Sequence, residues 1–419
     1  MSYTLSDLNT KEALLMELAH DLKTPPARVP EPISEPSLAQ LNAAGTRLWL
    51  DTGNLEEATK LWRKETSALT TNNTLANQVV QTGVLDSAIQ NTAQRVRALE
   101  PNIALDELVL DVAFVINCHI ALRLVSAFDA YVSVELHPAF AHSAETTFRY
   151  AQRYYAVCPE RFIVKIPLTP EGYCGVAKAR ADGIPINFTL GFSARQNYLA
   201  ALLSRPNYVN VFLGRLNAVV ADNKFGDGKN VGERVTLASQ NALIALRTAD
   251  TTIPTHQIAA SMRNAEQMVS LAGVDVYTVP PKAVAEFYQQ EHAPCSITSR
   301  LGEDYAVQLN ADADRAYIET LWTVDDNFKR FAKALAERGG TNLKGDDLRE
   351  ADRDFGTHLF TAFAAEEQTE IRTKGKIPDV ARWKSATSLD NLMTESALQS
   401  FVVDQSALDS RIRDLVTRP

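Results

Sequence analysis

Lys165 is the residue whose surroundings most strongly indicate chemistry. It lies inside the run 162–167 (FIVKIP), an apolar segment that is expected to be buried and therefore to keep water away from the lysine. An amine in a low-dielectric pocket loses part of its preference for the charged form. A neutral amine can attack a ketone to form an imine, which accepts electrons when the adjacent carbon–carbon bond breaks. The run therefore predicts Schiff-base chemistry, against the plainer interpretation that Lys165 extends out of a strand end or pairs with Glu135.

Polar residues also end other apolar runs. Asp51 and Glu135 supply carboxylates, and Asn72, Asn187 and Thr189 supply amide and hydroxyl groups. Barrel enzymes place their catalytic groups at the carboxyl ends of strands. Because imine formation and aldol cleavage both require proton transfer, the two carboxylates favour a catalytic role for Lys165.

A cationic group follows two later runs. Arg215 ends the string FLGR, and Ser261 and Arg263 belong to the string SMRN. Two arginines, a hydroxyl and a following helix N-terminus indicate a phosphate site at the end of late strands. The alternative is two surface arginines in unrelated ion pairs.

The elements that must position these residues are short apolar runs, each followed by a helical stretch. Such near-continuous runs are typical of parallel strands buried on both faces. Eight of them predict an α/β fold, a closed (β/α)₈ TIM barrel. The alternative is an open doubly wound sheet, whose usual glycine-rich fingerprint is missing. The runs are 47–51, 68–72, 131–136, 162–166, 185–189, 208–212, 256–261 and 276–279.

The chain divides into four predicted segments. Residues 1–45, with an amphipathic stretch at 8–22 and a proline-rich link, are expected to form an arm or linker. Residues 46–300 form the predicted barrel, 301–386 a helical insertion or extension, and 387–419 a C-terminal helix that packs on the barrel. The long apolar stretch 103–125 is interrupted by charges, so it is interpreted as a barrel helix.

Composition limits the partners. A net charge of −9 argues against nucleic acid, although local arginines can still hold a small anion. The four cysteines are scattered without metal-ligand spacing, so we predict no metal and no cofactor. No signal peptide or membrane span is expected, which favours the cytoplasm. Apolar residues at helical spacing over 317–335, near Trp322, could form a homodimer contact, but core packing is the favoured interpretation.

Seven strings in register resemble the transaldolase family, which uses Schiff-base aldolase chemistry. The likeness covers about 48–287 and resumes in the last helix. The strings are LWLDTG at 48–53, LTTN at 69–72, VSVE at 132–135, IVKIP at 163–167, INFTL at 186–190, FLGR at 212–215 and ASMRN at 260–264.

The resemblance implies a role for each matching residue. Lys165 corresponds to the imine-forming lysine, and Asp51 to the carboxylate that takes and returns the hydroxyl proton during carbon–carbon cleavage. Glu135 and Thr189 correspond to the pair that positions a water for proton transfer. The residues implied to bind substrate are Asn72 and Asn187 for hydroxyls, Phe212, and Arg215, Ser261 and Arg263 for phosphate.

The implied reaction transfers a dihydroxyacetone unit between sugar phosphates in the non-oxidative pentose phosphate pathway. Sedoheptulose 7-phosphate and glyceraldehyde 3-phosphate would give erythrose 4-phosphate and fructose 6-phosphate. A fructose-6-phosphate aldolase is the first alternative, but that branch typically carries glutamine and tyrosine where this chain has Glu135 and Phe212. A non-catalytic sugar-phosphate sensor is the second alternative, and it would have no use for an amine in a dry pocket.

Two positions depart from the family pattern. Asn73 stands where proline is usual, which is expected to loosen the turn. Asn210 stands where serine is frequent, and it is expected to retain hydrogen bonding to substrate. Two nearby residues have plainer interpretations. His137 is expected to cap or lie at the surface, and Arg195 either approaches the phosphate or lies on a solvated helix face.

Overall fold

The eight apolar runs form eight parallel strands that close into a barrel. Each strand pairs with its neighbours in sequence, and β8 returns to pair with β1. This confirms the predicted (β/α)₈ fold. In the computed structural model, which describes residues 10–417, the strands are β1 Arg47–Asp51, β2 Thr66–Thr70, β3 Tyr131–Glu135, β4 Phe162–Pro167, β5 Ile186–Thr189, β6 Tyr208–Phe212, β7 His256–Ala260 and β8 Val276–Val279.

The predicted strand bounds hold within one residue for seven strands, but the prediction for β2 was wrong. The second run was expected to end at Asn72, whereas β2 ends two residues earlier, at Thr70. Asn72 instead accepts a hydrogen bond from the amide of Leu75 and caps the next helix. An asparagine competes for local backbone donors in this way, so it favours a helix N-cap over a strand.

Helices alternate with the strands and surround them. Several begin at a capping hydroxyl or amide, such as Thr169 or Ser193, directly after a strand. Through the barrel they are α3 Leu55–Leu61, α4 Asn73–Gln81, α5 Asp86–Leu99, α6 Leu105–Phe128, α7 Ala144–Val157, α8 Pro170–Ala181, α9 Ala194–Leu203, α10 Leu213–Asp222, α11 Val231–Ala249, α12 Ala265–Ser270 and α13 Pro281–Gln289. A 3₁₀ turn at Pro138–Phe140 follows β3.

Helix α6 is the one element of the described residues that is long and apolar enough to cross a membrane by length and composition. Most of it is buried inside the protein, where it packs against β3 and α5. This burial agrees with its interpretation as a barrel helix, since the core helix of a folded domain has the same composition.

The N-terminal segment packs on the barrel helices. Residues 1–9 of the predicted arm lie outside the described residues. The remainder contains α1 Thr10–His20 and α2 Pro36–Ala43. Helix α1 buries Leu15 and Leu18 against α6, and Lys11 contacts Asp111 at 2.9 Å.

Residues after the barrel form further helices and one long final helix. The elements after the barrel are α14 Arg315–Glu319, α15 Asp326–Arg338, the 3₁₀ turn Gly340–Asn342, α16 Gly345–Phe355, α17 Ala365–Lys374, α18 Val380–Trp383 and α19 Leu389–Thr417. The predicted helix 387–419 corresponds to α19, and residues 418 and 419 lie outside the described part. Helix α15 packs on α9, and α16 packs on α8, so this segment covers one side of the barrel.

Candidate active site at the carboxyl end of the barrel

Lys165 lies inside the barrel with its amine enclosed by protein. The β3–β4 register sets Lys165 beside Glu135, and Nζ lies 3.0 Å from Oε2 of that carboxylate. Nζ also donates to the carbonyl of Thr71 at 3.2 Å. The lysine side chain is only 5% exposed. The expected burial of the amine is therefore observed, and Lys165 also makes the pair with Glu135 that the plainer interpretation of the sequence named.

Glu135 is a buried carboxylate without a well-aligned donor. Its contact with Lys165 is close, yet neither carboxylate oxygen accepts a hydrogen bond of good geometry from the described residues. Burial raises the pKa of Glu135 to about 7, although the neighbouring ammonium opposes the shift. A carboxyl group with a pKa near neutrality can both accept and return a proton.

Asp51 ends β1 and lies at one end of a short hydrogen-bonded row that it forms with the hydroxyls of Thr70 and Thr278. Thr70 donates to Oδ1 of Asp51 at 2.6 Å, and the hydroxyls of Thr70 and Thr278 lie 2.5 Å apart. Burial raises the pKa of Asp51, while the charge of Lys165 and the bond from Thr70 oppose the increase. Asp51 is thus a second carboxylate within electrostatic range of the amine.

Amides and hydroxyls on three strands form a second row across the barrel. The hydroxyl of Thr189 donates to Oδ1 of Asn210 at 3.0 Å, and Nδ2 of Asn210 donates to Oδ1 of Asn187 at 2.7 Å. Nδ2 of Asn187 in turn donates to Ser133 at 3.0 Å. The row thus connects Thr189 to Ser133, and no hydrogen bond among the described residues joins it to Glu135. Nothing in the sequence specified this row, although Ser133 shares its strand face with Glu135.

The turn after β2 brings Asn72 and Asn73 to the same end of the barrel. Because Oδ1 of Asn72 caps α4, its amide nitrogen is left for a ligand. The side chain of Asn73 donates to Gln405 of α19 at 2.8 Å. Asn73 was expected to loosen this turn. Its side chain instead forms a hydrogen bond to the final helix, which a proline side chain could not form.

Arg215 and Arg263 lie side by side beyond β6 and β7. Nη1 of Arg215 is buried without a hydrogen-bond partner among residues 10–417, and Nη2 lies 3.5 Å from the hydroxyl of Ser400. Burial, and then the charge of Arg263, lower the pKa of Arg215 to about 10. A buried guanidinium with an unused donor is suited to bind an anion.

Gly214 allows the two arginine loops to meet. A Cβ at this position would lie 2.2 Å from the carbonyl oxygen of Ser261 and 2.7 Å from Nε of Arg263. Ser261 itself has a φ of 64°, a left-handed conformation that turns the chain after β7. The cationic pair therefore depends on a backbone approach that only glycine permits.

Phe212 completes the sequence-predicted set. It is buried at the end of β6, and its ring meets that of Phe192 edge-on at 5.6 Å. All ten predicted residues thus lie in the strands, in the turns that follow them or, for Arg215, in the first turn of the following helix α10. The fold brings them together because parallel strands all end on the same side.

Helix α19 crosses this side of the barrel and is held to it by side-chain contacts at several points along its length. At its start, Asp390 accepts from Nε of Arg195 at 2.7 Å. Farther along, Asp404 accepts from Thr74, and Asp409 lies 3.1 Å from Nε2 of His137. The expected cap at His137 is confirmed, since its Nδ1 accepts from the amide of Ala139.

The interpretation that Arg195 lies on a solvated helix face was wrong, whereas an approach to the phosphate stays a prediction. The residue is buried, and two nitrogens of its guanidinium bind the carboxylate of Asp390 while a third donates to the carbonyl of Thr357. Its partner is distant in sequence, so helical periodicity alone could not identify it.

The part of the chain described, residues 10–417, contains no group of three or more histidine, cysteine or acidic side chains arranged to hold a metal ion. Its polar groups at the barrel mouth are an amine, carboxylates, amides, hydroxyls and guanidiniums. Together they suit proton transfer, nucleophilic attack and anion binding.

The sequence of this chain is similar to a known protein family and to several curated proteins. Residues 48–342 match the model of a family described as transaldolase/fructose-6-phosphate aldolase. A transaldolase of Chlamydia pneumoniae is 29% identical over 183 residues, which cover 42% of this chain and 55% of that protein. A transaldolase of Kluyveromyces lactis is 25% identical over 273 residues, covering 62% of this chain and 78% of that protein.

A probable transaldolase of Aquifex aeolicus is 34% identical over 139 residues, or 33% of this chain and 57% of that protein. The chain thus spans little more than half the length of several curated relatives that it matches. The family match includes every strand of the barrel except the first residue of β1.

Proposed function

The chain belongs to the transaldolase/fructose-6-phosphate aldolase family, and from this premise we propose that it is a transaldolase that forms a Schiff base through Lys165. The proposed reaction moves a dihydroxyacetone unit from sedoheptulose 7-phosphate to glyceraldehyde 3-phosphate. Its products are erythrose 4-phosphate and fructose 6-phosphate. The proposed setting is the non-oxidative pentose phosphate pathway in the cytoplasm.

One observation carries the proposal. The amine of Lys165 is buried beside the carboxylate of Glu135, with Asp51 in electrostatic range. A structural lysine would be expected to reach solvent or to form one fully satisfied ion pair. This amine instead has acid–base partners whose pKa values are raised by burial, which is what a site for repeated proton transfer requires.

In the proposed mechanism, the nitrogen of Lys165 attacks the ketone carbon of the donor, and loss of water leaves an iminium. The carboxylate of Asp51 removes the proton of the hydroxyl two carbons from the iminium carbon. The bond between the hydroxyl-bearing carbon and the carbon next to the iminium carbon then breaks. Its electron pair forms the enamine double bond as the iminium nitrogen regains its lone pair, and the hydroxyl-bearing carbon leaves as the aldehyde of an aldose phosphate. The resulting enamine then adds to the acceptor aldehyde, which recovers its proton from Asp51.

Glu135 is proposed to move protons to and from the water that is lost and regained. Its uncommitted oxygens and a pKa of about 7 support this role. Thr189 is proposed to orient the same water. Asn72, Asn187 and Phe212 are proposed to bind the carbon chain of the donor.

The phosphate is proposed to bind Arg215, Ser261 and Arg263. The buried, unpaired Nη1 of Arg215 supports this assignment, because an uncompensated guanidinium is stabilised when an anion binds. Binding energy from this remote group would hold the ketone against Lys165. No metal or organic cofactor takes part in the scheme.

The description of the same family also names fructose-6-phosphate aldolase, so this activity is the alternative to the transfer reaction. Glu135 and Phe212 favour the transfer reaction, because the resemblance associates the aldolase branch with glutamine and tyrosine at these positions. An aldolase would release free dihydroxyacetone from fructose 6-phosphate when no acceptor is present. A transaldolase would retain it on Lys165.

Borohydride reduction tests the proposal. The protein is incubated with fructose 6-phosphate, reduced, digested and analysed by mass spectrometry. A dihydroxyacetone adduct on the Lys165 peptide, with turnover only after erythrose 4-phosphate is added as acceptor, supports a transaldolase. Free dihydroxyacetone without acceptor would indicate the aldolase. Phosphate-dependent binding without any adduct would indicate a non-catalytic sensor and overturn the mechanism.

A further inference from the structure

Asn210 occupies a buried position between two proposed active-site residues. It lies in β6 with its side chain inside the barrel, and it is 1% exposed. The pairing of β5 with β6 brings it beside the end of β5, which carries Asn187 and Thr189. The sequence led us to expect only a hydrogen bond from Asn210 to substrate, whereas its amide binds the side chains of Thr189 and Asn187.

The amide of Asn210 joins its two neighbours through separate atoms. Oδ1 accepts from the hydroxyl of Thr189 at 3.0 Å, whereas Nδ2 donates to Oδ1 of Asn187 at 2.7 Å. A serine, which the resemblance leads one to expect here, has a single oxygen one bond from Cβ. It lacks the two separate polar atoms with which the asparagine amide reaches both partners at these distances.

This bridge restricts what each neighbour can present to a ligand. The only proton of the Thr189 hydroxyl is donated to Asn210, so its oxygen lone pairs remain for a water or a carbinolamine. The amide oxygen of Asn187 is occupied by Asn210, and its nitrogen donates to Ser133. Both side chains are thereby held in one orientation around Lys165.

We propose that Asn210 is a positioning residue that fixes the hydroxyl of Thr189 for the proton transfers of imine formation and hydrolysis. The proposal rests on the proposed function, and it adds a residue that acts through Thr189 without touching the reacting carbon atoms. Such a residue affects the rate of the chemical steps more than the binding of the phosphate.

A double-mutant cycle tests the inference. Asn210→Ser, Thr189→Val and the double variant are compared with the wild type for kcat, KM and the rate of borohydride-trappable imine formation. Rates are expressed per trappable site, so partial unfolding of a variant does not lower them. Asn223→Ser is the matched control, because Asn223 also bridges two partners, the carbonyl of Pro378 and the amide of Val380, outside the barrel interior.

We expect Asn210→Ser to lower kcat about tenfold, as loss of one well-placed buried hydrogen bond would do, with little change in KM. In the Thr189→Val background the same substitution should change kcat less than about twofold, because the hydroxyl it positions is already absent. Asn223→Ser should leave both constants unchanged. Asn210→Thr, which retains more volume and suits a strand, repeats the cycle should Asn210→Ser not fold.

Equal effects of Asn210→Ser in both backgrounds would overturn the inference and leave the proposed function standing. A change confined to KM would overturn it as well, since Asn210 would then act as a direct substrate ligand. Absence of a trappable adduct in the wild type would instead reject the proposed function itself, and the inference with it.

Discussion

The amine of Lys165 lies 3.0 Å from Oε2 of Glu135, and neither side chain is more than 5% exposed. The two residues are direct partners in the β3–β4 register, so strand pairing alone brings them together. Two charged groups removed from water in this way are costly for the fold unless they are well paired. Here the pairing is incomplete, because the carboxylate oxygens lack aligned donors among the described residues. The barrel thus retains a poorly satisfied ion pair at its mouth, as expected of a site kept for function.

Removing the amine tests the centre of the mechanism. Lys165→Ala should abolish turnover and the borohydride adduct, because no other nucleophile replaces the amine. The barrel should stay folded, since Glu135 can take up a proton when its partner is lost. Steady-state assay, mass spectrometry and circular dichroism provide the measurements. Lys178→Ala, at an exposed ion pair on α8, is the control. Turnover by Lys165→Ala would remove the imine mechanism.

The raised pKa of Glu135 predicts the acidic side of the pH profile. With a pKa of about 7, the group is protonated below neutrality and loses its capacity as a base as the pH falls. The value of kcat/KM, which reports the groups of the free enzyme, should therefore decrease as the pH drops through about 7. Glu135→Gln should lower kcat by a factor on the order of 10² to 10⁴ and remove that pH dependence. A profile unchanged by the substitution would show that another group titrates.

The phosphate assignment predicts a defect confined to phosphorylated substrates. Arg263→Ala should raise KM for fructose 6-phosphate by roughly 10- to 100-fold, the effect of losing one charge-assisted hydrogen bond. Imine formation with unphosphorylated dihydroxyacetone should be spared. Arg205→Ala, at a surface pair with Asp250, serves as the control. An equal loss with both substrates would contradict the assignment.

A side chain at Gly214 is expected to affect both the stability of the fold and the binding of phosphate. Gly214→Ala would place a Cβ 2.2 Å from the carbonyl of Ser261, so the loop after β7 must move. We expect a lower melting temperature and a higher KM for phosphorylated substrates, measured by calorimetry and steady-state kinetics. Gly302→Ala is a matched control, because its Cβ would meet nothing within 4 Å. Unchanged kinetics of Gly214→Ala would show that the cationic pair tolerates displacement.

The start of α19 depends on the buried pair of Arg195 and Asp390. Asp390→Asn should lower the free energy of unfolding by about 3–5 kcal/mol, because Arg195 would remain buried without its counter-charge. Denaturant titration measures the loss, and limited proteolysis should cut near residue 390 sooner than in the wild type. Asp106→Asn, at an exposed pair with Arg413, should change stability by less than about 1 kcal/mol. Similar losses in both variants would show that the buried pair does not anchor the helix.

Predictions from the sequence succeeded where a residue's neighbours in the chain decide its structure. Near-continuous apolar runs predicted eight buried strands, and β1, β6 and β8 have the predicted bounds. Lys165 could be identified because a charged side chain stands out in an apolar strand. The prediction for β2 failed at its end, where the capping bond of Asn72 overrode the apolar pattern.

The sequence by itself determined the barrel, and with it the side on which Lys165, Asp51 and Glu135 must lie, because consecutive parallel strands all end in the same direction. The tertiary structure decided which groups actually bind one another. Arg195 binds Asp390 across 195 residues, and Asn73 reaches Gln405 across 332 residues. Periodicity indicates which residues are buried. The hydrogen-bond partner of a buried polar group is set by distances and directions that exist only after the strands and α19 have packed together.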